Sequence, residues 1–105
     1  MQLDPEYNDF ILLASKVYGA NVSDADLLLK VAEETGEVAE AYSLYNGSNP
    51  TKPRTGHMVP VVQELADVVC TALVAIAHLG FNPQDLLEWQ MNKVKAKHPG
   101  VWEVQ

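Results

Sequence analysis

The sequence predicts an all-α fold, a four-helix bundle. Three observations carry this. Apolar residues recur at the helical period in four segments, residues suited to helix starts and stops bracket each segment, and no run alternates in the manner of a β-strand. No internal repeat or low-complexity stretch interrupts the pattern, and 105 residues suit one domain, spanning 1–105.

The first helix is expected from about Pro5 to Tyr18. Asp4 is suited to its N-cap, Pro5 to its first position and Gly19 to its end, with Phe10, Leu13, Ala14 and Val17 as the apolar stripe. The second is expected from about Asp24 to Tyr45. Ser23 resembles a cap with Asp26 as its acidic partner, and Leu27, Leu28, Val31, Val38, Ala41, Tyr42 and Tyr45 follow the period. Asn46 to Gly56 is the one long irregular stretch, and it holds Lys52 and Arg54.

The third helix starts near His57 and runs to about Leu79. Pro60 is tolerated only in its first turn. Its wide apolar face is Val61, Leu65, Val68, Val69, Ala72, Leu73 and Ile76. Asn82 and Pro83 then open a fourth helix that runs to about Lys97 and ends at Pro99-Gly100. Short connections favour antiparallel neighbours for helices one and two and for three and four. The long second and third helices form the central pair.

Composition narrows the function. A formal charge of −7 argues against binding a nucleic-acid backbone. The single cysteine, Cys70, lies in an apolar run and reads as a small buried hydrophobe, and His78 reads as structural. The N-terminus lacks the basic and apolar regions of a signal peptide, and Val68 to Leu79 is too short and too interrupted to span a membrane. These features lead to the expectation of a cytoplasmic protein with neither nucleic-acid nor membrane partners.

Two acidic clusters stand out, Glu33-Glu34-Thr35-Gly36-Glu37 and Glu64-Leu65-Ala66-Asp67. Glu34 with Glu37, and Glu64 with Asp67, sit three residues apart, which places each pair on one side of a helix. Glu34 shares the side of Val31, Val38 and Ala41, while Glu33, Glu37 and Glu40 form the outer flank. A carboxylate bordering a core stripe is costly unless paired or metal-bound. The second helix offers Lys30 as its one basic partner and the third has no lysine or arginine. Four converging carboxylates suit a hard divalent cation, Mg²⁺ or Mn²⁺, and metal held this way commonly grips phosphate.

Glu34-x-x-Glu37, then 26 residues (38 to 63), then Glu64-x-x-Asp67, resembles the signature of the MazG-like, all-α nucleoside triphosphate pyrophosphohydrolases. Glu33, Gly36, the run Glu64-Leu65-Ala66-Asp67-Val68-Val69 and the order of helices extend the match, while Gln63 replaces an acid that many relatives carry. The resemblance implies hydrolysis between the α- and β-phosphates of a nucleoside triphosphate, giving monophosphate and pyrophosphate. It implies Mg²⁺ held by Glu34, Glu37, Glu64 and Asp67, with Mn²⁺ as a substitute and Glu33 as general base or outer orienting group. The segment Asn92-Lys93-Val94-Lys95-Ala96-Lys97-His98-Pro99 resembles a basic segment of relatives, which points to Lys93 and Lys97 for the phosphates. Lys52 and Arg54 are the alternative, if their loop closes.

For the base, Phe10, Tyr42, Trp89, Asn92 and Trp102 supply aromatic or amide groups. The apolar stripes exceed what one 105-residue chain buries, so a homodimer or homotetramer is expected, as in relatives. The favoured reading is a house-cleaning enzyme acting on non-standard or surplus dNTPs or NTPs. The alternative is a non-catalytic helical interaction module with a solvated acidic face. A di-iron carboxylate bundle is disfavoured, because neither cluster has a histidine three residues after a glutamate.

Overall fold

The computed structural model describes residues 4–19 and 21–101. It holds four helices: α1 (Pro5–Gly19), α2 (Asp24–Asn46), α3 (Val59–His78) and α4 (Pro83–Lys97). Their limits follow from local chemistry. Asp4 Oδ1 accepts from the Glu6 amide at the start of α1, and Ser23 Oγ accepts from the Asp26 amide at the start of α2. Gly47 ends α2 in the left-handed conformation, φ +78°, and its amide donates to the Ser43 carbonyl. Pro60 sits in the first turn of α3, whose N-cap, Met58, makes no side-chain capping bond. Asn82 Oδ1 accepts from the Gln84 amide, and Pro83 occupies the first turn of α4.

Helix α3 is the hub. Helices α1, α2 and α4 each pack on α3, and the α2–α3 pairing is the most extensive. The ends of these two helices show that they run antiparallel. Leu27 and Lys30, early in α2, share a cavity with Cys70 and Val74, late in α3, while Leu44 and Pro60 share one at the other end. His78 Nε2 lies 2.8 Å from Asp24 Oδ1 and ties the end of α3 to the start of α2, so His78 is structural.

Two expectations change. The short α1–α2 connection suggested that these helices would be neighbours, yet α1 lies principally on α3. The expected stripe of α1 also turns outward: Phe10, Leu13 and Val17 are exposed, while Ile11 is fully buried and joins Leu73 and Val74 in the core. Ser15 is buried as well, and Ala14 packs half-buried against this core. Ile11, Leu12, Leu13 and Ala14 are consecutive, so apolar groups surround much of α1 and periodicity alone does not select a face.

The packing is open. The radius of gyration is 16.9 Å, against about 13 Å for a compact domain of this length. Leu65 and Val69 of α3 are about half exposed, as is Trp89 of α4. By length and composition α3 as a whole could cross a membrane, with a mean hydropathy of 1.8 over an 18-residue stretch of Val59–His78, so the apolar stretch is longer than Val68 to Leu79 suggested. It nevertheless carries Glu64 and Asp67, which are costly in hydrocarbon, and it is the helix on which the others pack.

Candidate metal centre

The acidic pairs meet across the α2–α3 seam. One carboxylate oxygen from each of Glu34, Glu37 and Glu64 lies within 4.8 Å of the others. Spacing within α2 brings Glu34 and Glu37 to one side, and the antiparallel register of α3 brings Glu64 opposite. Glu34 is only 7% exposed, and Glu37 and Glu64 are half-buried. Helical periodicity puts Glu37 on the outer flank, but the meeting of the two helices turns that flank into the wall of the site.

The carboxyl of Glu37 is pushed up to about 7, first by its hydrogen bond with Glu64, then by its hydrogen bond with Glu34 and by the negative charge of Glu34. A proton on Glu37 thus links carboxylates that would otherwise repel. Lys30 supplies more compensation: its Nζ lies 3.3 Å from Glu34 Oε1 and 3.5 Å from Glu33 Oε1. The hydrogen bond to Glu34, with the negative charge of both glutamates, raises the Lys30 pKa.

Even so, Glu34 Oε2 and Glu64 Oε2 are buried without a hydrogen-bond partner. Buried acceptors in a native fold normally have partners. The donor set fits a hard divalent cation, because it consists of oxygens alone. Oxygens on opposite sides of Mg²⁺, each at ~2.1 Å, would stand ~4.2 Å apart, close to the spread of this group.

The remaining expected residues lie around this centre. Asp67 is exposed and stands outside the three-acid group. Glu33 is exposed and holds Lys30. A cleft of about 430 Å³ opens beside the acids, walled by Glu37, Glu64, Glu40, Leu44, Thr55 and Pro60. Lys52 reaches its edge by pairing with Glu40 at 3.2 Å. Arg54 instead donates to the Tyr45 carbonyl at 2.9 Å, and the Thr55 amide donates to the Leu44 carbonyl, so the loop is fastened along the end of α2.

Lys93 lies over the Trp89 ring, 5.1 Å from its centroid. Neither of these residues, nor Asn92 or Lys97, lines the cleft beside the acids. Tyr42 stacks obliquely with Tyr45, and Phe10 with Tyr7. Trp102 lies outside the described residues. In the sequence Lys30 stands out only as a scarce basic partner for the acids. Its spacing four residues before Glu34 was the available signal for its place in the site.

The family model for the MazG nucleotide pyrophosphohydrolase domain matches residues 23–102. The chain belongs to the MazG nucleotide pyrophosphohydrolase family. No curated protein and no solved structure matches it. The MazG match begins at the Ser23 cap, covers all of α2, α3 and α4, and so contains both acidic pairs, while α1 precedes it. Membership carries nucleotide pyrophosphohydrolase chemistry and, in general, the use of a divalent metal, in agreement with the acidic group at the seam.

Proposed function

We propose that this MazG chain is a Mg²⁺-dependent nucleoside triphosphate pyrophosphohydrolase that accepts Mn²⁺ as a substitute. It cleaves between the α- and β-phosphates of non-standard or surplus dNTPs or NTPs, so that water adds at phosphorus and pyrophosphate leaves. The observation that carries this reading is the three-carboxylate group with two buried, unpartnered oxygens. An interaction module with a solvated acidic face is not favoured, because Glu34 is buried.

Glu34, Glu37 and Glu64 hold the metal, and Asp67, one helical turn from Glu64, completes the set. Bound divalent metal offsets the triphosphate charge and stabilises the charge that develops in the transition state. Glu37 gives up its proton when the site fills. Glu33 orients from the outer side, where it already positions Lys30, or acts as general base. Lys93 and Lys97 of α4 meet the phosphate oxygens. The exposed apolar surfaces of the helices are covered in a homodimer or homotetramer, and the setting is cytoplasmic.

The test is pyrophosphate release from a panel of canonical and modified dNTPs and NTPs, with Mg²⁺, Mn²⁺ or EDTA. Metal-dependent formation of monophosphate plus pyrophosphate is expected. No turnover across the panel by folded, metal-loaded protein would refute the assignment.

A further inference from the structure

A second cavity, of about 340 Å³, lies along the same seam on the other side of the acids. Its walls are Val22, Leu27, Cys70 and Val74, and its polar groups are Asp26, Lys30 and Thr71. Leu27 and Val74 are buried, whereas Asp26 and Lys30 are exposed at the rim. An apolar slot with a few polar groups at its edge is the usual character of a small-molecule site, and this volume lies near the lower end of the usual range of ~300–1,000 Å³. It suits a flat ring system better than a whole triphosphate.

Position decides what the ring belongs to. Lys30 lies one turn before Glu34, and Thr71 one turn after Asp67, so the cavity begins roughly 5.4 Å along the helices from the acids. Lys30 belongs to both places, lining the cavity while its Nζ lies 3.3 Å from Glu34. A ribose spans a comparable interval between a base and its α-phosphate. The rim offers an acceptor-only carboxylate, a donor-only ammonium and a hydroxyl that does both, which together can read a base edge. The polar cleft walled by Glu37, Glu40 and Glu64 lies on the far side of the acids, where the released phosphates would point.

We propose that the cavity between the start of α2 and the later half of α3 receives the nucleobase of the substrate. Lys30 then joins base binding to the acidic centre. This rests on the hydrolase reading above, and it places the base at residues of α2 and α3 instead of at Trp89 and Asn92 of α4.

Cys70 supplies the test, because it is the one thiol in the sequence and it lies in the cavity wall. The full chain, with Mg²⁺, is alkylated by a maleimide in the presence of α,β-methylene analogues of the four common dNTPs or of inorganic tripolyphosphate. Calorimetry establishes occupancy. At ten times its Kd, a bound nucleotide analogue should slow alkylation ~10-fold, while saturating tripolyphosphate leaves the rate unchanged. A bound nucleotide that does not slow the reaction overturns the proposal. So does equal protection by tripolyphosphate. Protection that grows with protein concentration alone assigns the cavity to a second copy and also overturns it. Absence of both nucleotide binding and pyrophosphate release removes the hydrolase reading itself, and the base site with it.

Discussion

Metal binding at this seam should be strongly pH-dependent near neutrality. Glu37 retains a proton with a pKa of about 7, because its carboxyl hydrogen-bonds first to Glu64 and then to Glu34. A cation coordinated by all three acids needs that proton to leave. A single group of this pKa is about one-tenth ionised near ~pH 6 and about nine-tenths ionised near ~pH 8. The apparent affinity for Mg²⁺ or Mn²⁺ should therefore rise about tenfold between those values and flatten above them.

An ordinary glutamate, at 4.5, would give almost no change over that window. The assay is calorimetry of Mn²⁺ binding in buffers of different ionisation enthalpy, which also counts released protons. Close to one proton should be released near ~pH 6 and almost none near ~pH 8. Flat affinity with no proton release would refute the reasoning, and Glu37→Gln should remove the pH dependence. The same shift has a sign for folding. Glu37 holds its proton more tightly in the fold than in the unfolded chain. Its contribution to the stability of the metal-free protein is therefore full below about 4.5 and is lost as pH rises through about 7. Denaturant melts without metal should show this decline.

Other outcomes follow from the packing and the site. Glu37→Ala or Asp67→Ala should lower turnover by more than ~100-fold while far-UV circular dichroism stays unchanged, and near-normal activity in either would remove that residue from the ligand set. Glu64→Gln should stabilise the metal-free protein by ~1 kcal/mol in urea melts while weakening metal binding, because it removes a charge whose Oε2 is buried and unpartnered. Ile11→Ala should cost ~2–5 kcal/mol in urea melts, since Ile11 is fully buried in the contact of α1 with α3. A Cβ at Gly36 meets nothing within 4 Å, so Gly36→Ala should raise stability by ~1 kcal/mol in the same melts; a loss would show that another molecule approaches this face of α2.

Features governed by nearby residues were the most legible in the sequence. The Ser23 and Asn82 caps and the pairing of Glu34 with Glu37 depend on neighbours within about a helical turn, and all are found. The meeting of Glu64 with the α2 pair was also legible, because two long helices with central acids have one antiparallel register that joins them. The partner of α1 was not. Its apolar residues offer more than one face, and α3 rather than α1 itself selects Ile11. The stretch from Asn46 to Gly56 reads as an irregular connector. Its fastening depends on Arg54 reaching back nine residues to a carbonyl at the end of α2, a contact that composition does not specify. The place of Lys30 in the site is not fully legible in the sequence, because it depends on the burial of Glu34, which only packing reveals.

The hub arrangement has a mechanical consequence. Since the main packing of α1, α2 and α4 is on α3, the spacing of α2 from α3 is set by one seam with little cross-bracing. The same seam contains the crowded acids, whose mutual repulsion presses the two helices apart whenever the proton on Glu37 leaves. A cation among these oxygens would offset that repulsion and act as a rivet, so that filling the site and tightening the fold would be one event and the gap between α2 and α3 would be fixed by the ion.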